Sequence, residues 1–444
     1  MTEPSLPADE VARLYRRGGE LLPLASLTHD GGEQPAAWRE ALDELADRLG
    51  GSYPFADPEY LGQMLKPPHP VAWAGYAMAM LLNANNHAFD GGPATAHLER
   101  EAVDQIAAML HQEEHLSHLT SSGTIANLEA LWVARSLHPD KVVLSGAQAH
   151  YTHARISEVV GARHETVPAT GHGTLDLAAL EERLQAGGVG TVVATLGSTG
   201  LGMVDRVDRI ADLCERYGAR LHVDAAYGGF FALLADGGEP GVACEPFDAL
   251  ARADSIAIDP HKHGLQPYGC GCIVFRDPSV GSMYKHDSPY TYFTSEDLHP
   301  GEISLECSRS GAAAAALWAT LRALPLTRDG LGTHLAGARA AALVLAERIR
   351  NLEGWTLVLD PDLDVVCWHA NGTTASAVSA ATDTAYAALE ARGWHVAKLV
   401  VASDTLGLEA DQPTTMILRS ALMKPEHLGV VDAFADALAM LDCR

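Results

Sequence analysis

Between about residues 95 and 275, stretches with helical periodicity alternate with short apolar runs. Apolar residues recur every three or four positions in TAHLEREAVDQIAAML, TIANLEALWVARSL and VDRIADLCERYG, which predicts amphipathic helices. The apolar runs KVVLSG, TVVATLG, ARLHVDAA, SIAIDP and GCIVF have the length of buried strands. This alternation predicts an α/β fold with a largely parallel sheet that is covered on both faces.

The regions that flank this pattern differ from it. The first 50 or so residues contain two helical stretches, ADEVARLYRRGGELL and WREALDELADRL, and the prolines between positions 54 and 70 predict extended chain. Residues 330 to 444 predict a smaller α+β unit with strands at TLVLD, VVCWH and TMILRSAL. We therefore expect an N-terminal helical segment at 1–60, a large domain at 61–325 and a small C-terminal domain at 326–444.

Charge and composition exclude several classes of partner. The formal net charge of −26 argues against binding to a nucleic-acid backbone, which requires clustered Lys and Arg. The N-terminus lacks the pattern of a signal peptide, and the longest apolar run, 71–82, is too short to cross a bilayer. Seven scattered cysteines fit a reducing compartment, and Cys270 and Cys272 fit a buried strand better than a metal site. We expect a cytoplasmic protein that binds neither nucleic acid, nor a membrane, nor a metal.

Polar residues follow the predicted strands at the positions where parallel sheets bind ligands. Ser121, Ser122, Gly123 and Thr124 open a predicted helix, where small side chains and free backbone N–H groups favour an anion. A simple helix cap is the alternative interpretation. His150 follows KVVLSG, and its ring has either a structural role or stacks on a flat cofactor.

Two further strand ends carry Asp224 and Lys262. A carboxylate at a buried strand end needs a partner, which for Asp224 is either a protonated pyridine nitrogen or the following turn. Lys262 follows an apolar run and a Pro-His dipeptide. Partial burial there would lower the pKa of its amine and free it for Schiff-base chemistry.

The motifs that carry these residues resemble the group II pyridoxal 5′-phosphate (PLP)-dependent amino-acid decarboxylases. The resemblance is strongest in LGSTGLGMVDRVDRIADLCERYGARLHVDAAYGGFF and DSIAIDPHKHG, and TSSGTIANLEAL and AQAHYTHARI support it. It implies the PLP fold-type I, with a mostly parallel central sheet and a smaller C-terminal α+β domain. It also implies a homodimer that converts an aromatic, acidic or diamino L-amino acid to the amine and CO₂.

The resemblance implies a role for each matched residue. Lys262 would form the Schiff base with the cofactor, Asp224 would pair with the pyridine nitrogen, and His150 would stack on the ring. The residues that would hold the phosphate or complete the cofactor pocket are Ser122, Gly123, Thr124, Thr199, Ala226, Ser255, Asp259 and His261. The residues that would contact the substrate are Arg419, which would meet its carboxylate, His263 and Tyr290.

The stretch from Met283 to Glu302 interrupts the α/β rhythm and is rich in Tyr, Ser, Pro, Asp and His. We expect this segment to close over the substrate and to supply the residue that protonates the α-carbon, with Tyr292 favoured over Tyr290. Because His263 stands where the family commonly has an aromatic residue, the substrate class stays open. Carbon–carbon lysis, oxidative decarboxylation–deamination to an aldehyde, and a non-catalytic PLP-fold protein are the alternatives.

Overall fold

The computed structural model describes residues 13, 16–17, 36–285 and 299–441. The first half of the described chain is mainly an alternation of helices and strands. In chain order these are α1 (Ala36–Leu49), α2 (Pro70–Met80), α3 (Pro93–Met109), β1 (Leu116–Thr120), α4 (Gly123–Leu137), β2 (Val142–Gly146), α5 (Thr152–Val159), β3 (Arg163–Val167), α6 (Leu177–Gln185), β4 (Val189–Thr195), α7 (Val207–Tyr217) and β5 (Arg220–Asp224).

The second half contains the last two strands of the large sheet and the four strands of a separate small sheet. Its helices and strands are α8 (Ala232–Asp236), α9 (Glu245–Asp248), β6 (Ser255–Ile258), β7 (Gly271–Phe275), α10 (Gly311–Ala323), α11 (Gly332–Arg350), β8 (Trp355–Leu357), β9 (Val365–Ala370), α12 (Ala375–Glu390), β10 (Ala397–Ala402), β11 (Thr414–Ala421) and α13 (Val431–Ala439).

The large sheet has the strand order β1–β7–β6–β5–β4–β2–β3 within the described chain. Strands β2 to β6 run parallel, whereas β7 is antiparallel to both β6 and β1. Every residue of β2, β4, β6 and β7 is buried, so both faces of the sheet are covered. The predicted α/β fold with a mostly parallel central sheet is confirmed.

The register of three central strands brings their carboxyl ends to one edge of the sheet. Thr195 at the end of β4 is paired with Asp224 at the end of β5, and Asp224 is paired with Ala257 in β6. The chain segments that leave these strands therefore begin side by side, which is the geometry that places ligands at this edge of parallel sheets.

Strands β1, β3 and β10 were not predicted. Strand β3 has the sequence RHETV and is largely exposed, because it lies at the edge of the large sheet and covers little apolar surface. Strand β1 is only five residues long and contains Ser117 and His118, so its apolar pattern is weak. An edge strand is held by its backbone hydrogen bonds to one neighbour, and these leave little trace in hydropathy.

The small sheet is antiparallel and has the order β10–β11–β9–β8. Its core contains the fully buried Trp368 and Phe434, together with Leu61 from the N-terminal side of the chain. The backbone N–H of Leu61 donates to His395, and the carbonyl of Leu61 accepts from Ala421. The predicted boundaries at 60/61 and 325/326 stay a prediction, although this contact ties the chain near residue 61 to the small sheet.

Within the described residues, no helix combines the length and the apolar composition that a bilayer crossing requires. Cys270 and Cys272 are both buried, Cys272 within β7.

Candidate active site

A cavity of about 180 Å³ lies at the carboxyl ends of β4 and β5, close to the end of β6. Its lining includes most residues that the sequence analysis selected for the cofactor: Ser122, Gly123, Thr124, His150, Thr199, Asp224, Ala226, Asp259, His261 and Lys262. The lining also includes residues that the sequence analysis did not select: Asn127, Thr152, Thr195, Gly197 and Tyr227.

One wall of the cavity is the N-terminus of α4. Ser122 is the N-cap residue, and its Oγ accepts a hydrogen bond from the backbone N–H of Ile125 at 3.4 Å. A Cβ atom on Gly123 would lie 2.8 Å from both carboxylate oxygens of Asp259, so only glycine leaves this approach open. The free N–H groups and the dipole of a 15-residue helix make this wall suitable for a phosphate.

Asp224 is 5% exposed at the cavity wall and accepts three hydrogen bonds. Its Oδ2 accepts from Nε2 of His153 at 2.8 Å and from Nδ2 of Asn127 at 3.3 Å, and its Oδ1 accepts from the backbone N–H of Ala226 at 3.2 Å. Burial opposes the ionisation of this carboxyl. The hydrogen bond and the charge of His153 outweigh burial and hold the pKa of Asp224 well below its usual range.

Lys262 lies in the segment that follows β6, with its Nζ 3.0 Å from Oδ2 of Asp259. The expectation that the pKa of this amine lies below its usual value is wrong. Burial does favour the neutral amine, but the charges of Asp259 and Asp224 outweigh it, and the pKa of Lys262 lies above its usual value. Without a cofactor, the amine is therefore a cation between two carboxylates.

Two imidazoles complete the lining. Nδ1 of His150 accepts from the backbone N–H of Thr152 at 3.4 Å and lies 2.8 Å from its Oγ1, and burial lowers the pKa of His150. Nδ1 of His261 donates to the carbonyl of Cys270 at 2.8 Å, which fixes the ring beside Lys262. The ring of His261 also packs on Tyr268, with 4.7 Å between the ring centroids.

Ser255 was selected for the cofactor pocket, but it does not line the cavity. Its Oγ lies 2.9 Å from Nδ1 of His222, and Nε2 of His222 donates to Oδ1 of Asn127 at 2.7 Å. Asn127 in turn donates to Asp224. Ser255 therefore reaches the site only through this chain of hydrogen bonds.

His263 and Arg419, which were selected as substrate contacts, also lie outside the cavity lining. His263 is fully buried, with Nε2 3.1 Å from Oδ2 of Asp364, and it packs edge-on against Tyr227. Asp364 also accepts a hydrogen bond from the hydroxyl of Tyr227 at 2.7 Å, so His263 belongs to a buried polar cluster next to the cavity. Arg419 donates from Nη1 to the carbonyl of Thr199 at 2.6 Å. It therefore contacts a residue of the cavity lining without lining the cavity itself.

Tyr290 and Tyr292, selected as a substrate contact and as the proton donor, lie outside the described residues. Their roles stay predictions.

His153 also belongs to this site, and the sequence motif around His150 contains a signal for it. The motif AQAHYTHAR contains two histidines three positions apart, and only His150 was selected. Because the second histidine lies in the first turn of α5, it faces the sheet and meets Asp224. Periodicity alone indicates that it is buried, but not which strand it meets.

The residues of the cavity fit PLP. The glycine at the start of α4 leaves space against a phosphate-binding helix end, and Asp224 offers an ionised carboxylate to a pyridinium nitrogen. Two buried oxygens at the cavity, Oγ1 of Thr195 and Oδ1 of Asp259, have no hydrogen-bond partner among the residues that the structure describes. Buried polar atoms without partners are expected where a ligand supplies the partner.

Comparisons with known proteins also point to a PLP-dependent protein. Residues 56–371 match the family model described as the pyridoxal-dependent decarboxylase conserved domain. The chain is 30% identical to L-aspartate decarboxylase of Thermococcus kodakarensis over 372 residues, which cover 82% of this chain and 90% of the relative. It is 29% identical to L-tyrosine decarboxylase of Enterococcus faecium, with 74% of this chain and 71% of the relative covered.

A solved structure shows the same fold. The Oryza sativa TDC, solved with PLP and tryptamine, superimposes with a TM-score of 0.81 at 20% identity, and the match covers 100% of both chains. The fold-type I architecture and the PLP dependence that the sequence motifs implied are both confirmed. The chain belongs to the pyridoxal-dependent decarboxylase family and is a PLP-dependent amino-acid decarboxylase of fold-type I.

Proposed function

We propose that Lys262 holds PLP as a Schiff base in this cavity, that Asp224 pairs with the ring nitrogen, and that the protein decarboxylates an L-amino acid. The observation that carries the proposal is the meeting of three features in one cavity. These are the amine of Lys262, the ionised carboxylate of Asp224 and the N-terminus of α4.

When PLP is bound, its protonated ring withdraws electrons from the bond that breaks at the α-carbon of the substrate. Asp224 would keep the proton on the ring nitrogen, because its own pKa is held low by His153. The N–H groups of residues 122–124 would hold the phosphate, and His150 would pack on one face of the ring. His261, Thr199 and Ala226 would bound the rest of the ring.

The amine of Lys262 is the group that the substrate amine would displace. Asp259 lies 3.0 Å from it and would hold the displaced amine as a cation, close to where it is needed to reattach. The buried walls would exclude water from the reacting centre, which strengthens each of these electrostatic contacts.

For the substrate, the names of the relatives point to L-aspartate and L-tyrosine as the first amino acids to test. Both lie within the acidic and aromatic classes that the sequence motifs left open, and diamino acids complete the panel. Arg419 is 7% exposed, and its buried Nε has no hydrogen-bond partner in the described part of the chain. We propose that this guanidinium meets a substrate carboxylate once the contact with Thr199 adjusts.

We also propose that the protein works as a homodimer in the cytoplasm. No residue of α1 is buried within the described chain, and Leu42, Leu45 and Leu49 are 50–62% exposed along one side of the helix. An apolar stripe of this kind is typical of a surface that packs on another chain. The six cysteines within the described residues are free thiols, which supports a reducing compartment.

The experiment is a substrate panel with both products measured. Purified protein is loaded with PLP and incubated with L-aspartate, L-glutamate, L-tyrosine, L-tryptophan and L-2,4-diaminobutyrate, while CO₂, the amine and the aldehyde are quantified. We expect CO₂ and the amine in equal amounts from one class, and loss of both by about 1,000-fold or more in Lys262→Ala. Aldehyde as the main product, or full activity in Lys262→Ala, would contradict the proposal.

Borohydride reduction gives a second, independent test of cofactor attachment. We expect the reduced cofactor on the peptide that contains Lys262 and on no other lysine. Labelling of a different lysine at equal yield would overturn the assignment.

A further inference from the structure

His153 is an unusually placed imidazole. It is fully buried in the first turn of α5, and its Nε2 lies 2.8 Å from Oδ2 of Asp224. An ionised carboxylate only accepts hydrogen bonds, so Nε2 of His153 carries the hydrogen. His153 thus donates directly to the carboxylate that faces the cavity.

The other ring nitrogen of His153, Nδ1, is buried and makes no hydrogen bond to any described residue. A neutral ring leaves a lone pair unsatisfied at this atom, and a charged ring leaves an N–H unsatisfied, so either state costs free energy. An apolar side chain would avoid this cost. The hydrogen bond to Asp224 offsets this cost.

The hydrogen bonds to Asp224 are distributed unequally over its two oxygens. Oδ2 accepts from the side chains of both His153 and Asn127, which fills the two lone-pair positions of that oxygen. Among the described residues, Oδ1 accepts only from the backbone N–H of Ala226. Oδ1 is therefore the oxygen that retains capacity for a donor in the cavity.

In the part of the chain that the structure describes, Asp224 is the one carboxylate that bonds to His153. The groups that face it are Asp224 and His222 from β5, His164 from β3 and His150 from the preceding segment. The pKa of His222 is lowered to about 3 by its burial, so this neighbour is neutral. Burial also lowers the pKa of His164, whose ring bonds to Ser145.

We propose that His153 is a positioning residue for the cofactor: its hydrogen bond to Oδ2 turns Oδ1 of Asp224 toward the ring nitrogen and keeps the carboxylate ionised, so that the nitrogen stays protonated. This inference rests on the proposed role of Asp224. Without His153, fewer hydrogen bonds would offset the effect of burial on Asp224, and its pKa would rise. The carboxyl would then compete with the pyridine nitrogen for the proton.

The test compares three variants by a direct measurement of the ring nitrogen. Wild type, His153→Leu and His153→Gln are loaded with PLP that carries ¹⁵N in the ring, and the ¹⁵N chemical shift is recorded across the pH range. The shift separates the protonated from the unprotonated nitrogen without any turnover. His164→Gln is the matched control, because it removes an adjacent imidazole that does not bond to Asp224.

We expect a protonated nitrogen in wild type, in His164→Gln and in His153→Gln, whose amide can still donate to Oδ2. In His153→Leu we expect the unprotonated signal to appear at a lower pH, and the dissociation constant of PLP to rise by about tenfold or more. If His153→Leu keeps both the wild-type ¹⁵N shift and the wild-type affinity, the proposal is wrong.

Two further outcomes are distinguishable. If the wild-type nitrogen is itself unprotonated, the role proposed for Asp224 fails, and the failure does not come from His153. If His153→Leu does not fold, His153→Ala takes its place, and added imidazole is expected to restore the protonated signal. A His153→Ala protein with the wild-type signal, or one in which imidazole has no effect on an altered signal, would also overturn the proposal.

Discussion

The Nζ atom of Lys262 lies 3.0 Å from Oδ2 of Asp259, and the same carboxylate occupies the space into which a side chain on Gly123 would project. One buried acid therefore serves two parts of the site. It pairs with the ammonium group of the lysine and favours its charged form, and it packs against the helix end that is suited to a phosphate. Changes at Asp259 and at Gly123 should consequently affect different properties of the holoenzyme.

Asp259→Asn should make the amine of Lys262 easier to deprotonate. The pKa of Lys262 is raised because the charges of Asp259 and Asp224 outweigh its burial, so the loss of one charge lowers this pKa. We expect the rate of Schiff-base formation, followed by absorbance after PLP is added to apoprotein, to reach its plateau about one pH unit lower. Asp277→Asn, the same change at an exposed turn, should leave the profile unchanged. An identical profile in Asp259→Asn would show that Asp259 does not control the lysine.

Gly123→Ala should weaken PLP binding. A Cβ at this position would lie 2.8 Å from both oxygens of Asp259, so the carboxylate or the helix end must shift. We expect the dissociation constant of PLP to rise about tenfold, and the apoprotein to lose about 1–3 kcal/mol of stability through overpacking. Gly171→Ala is the control, since a Cβ there meets no atom within 4 Å. Equal affinities in the two variants would contradict the role of this helix end.

His263→Leu should reduce stability and leave substrate binding unchanged. His263 is the partner of the buried Asp364, with 3.1 Å between Nε2 and Oδ2, and neither residue lines the cavity. We expect the free energy of unfolding at neutral pH to fall by about 3–5 kcal/mol, and KM to stay within about twofold of wild type. His369→Leu, which removes a buried imidazole whose Nδ1 bonds to the backbone carbonyl of Ala370, should cost less. A large rise in KM with unchanged stability would restore His263 as a substrate contact.

The stability loss in His263→Leu should also depend on pH. Burial opposes ionisation of Asp364, but its close contact with His263 and the hydrogen bond from Tyr227 outweigh burial and lower the pKa of Asp364 below its unfolded value. This pair therefore stabilises the fold above the unfolded pKa, and the contribution is lost as the pH falls through the folded pKa. The difference between wild type and variant should be largest near neutral pH and should shrink in acid, as measured by denaturant unfolding.

The sequence predicts that a tyrosine of the segment 283–302 delivers the proton to the α-carbon, so its loss should slow formation of the amine. Tyr292→Phe, or Tyr290→Phe if that residue is the donor, should slow amine formation more than substrate binding. Rapid-mixing measurements of CO₂ and amine formation would separate the two steps. Wild-type rates and products in both variants would remove both tyrosines from consideration.

The chain of strand-end residues could be predicted because parallel sheets place their chemistry at one edge. Asp224 and Lys262 follow apolar runs, and the register between β4, β5 and β6 brings them to one cavity. His263, which the family resemblance implied as a substrate contact, lies outside this cavity, although it is the neighbour of Lys262 in the chain. Successive side chains leave the backbone in different directions, and Asp364, about 100 positions later, decides where this ring lies.

The partners of Asp224 could not be predicted for a related reason. His153 and Asn127 come from two different helices, and they meet Asp224 only after the helices pack on the sheet. The family resemblance implied Ser255 as part of the cofactor pocket, yet it lies at the far end of a hydrogen-bond chain that leads to Asp224. Long-range contacts of this kind depend on register and packing, which hydropathy does not encode.

The hydrogen bonds from Ser255 through His222 and Asn127 to Asp224 all run in one direction. Asn127 turns its amide nitrogen to the carboxylate and its oxygen to the imidazole, and this fixes which ring nitrogen of His222 carries hydrogen. A single replacement that exchanges a donor for an acceptor would place two donors, or two acceptors, next to each other in the buried chain. Sequence drift at these three positions should therefore be concerted: related chains that lose the serine hydroxyl or the imidazole are expected to carry compensating changes at the other members of the set.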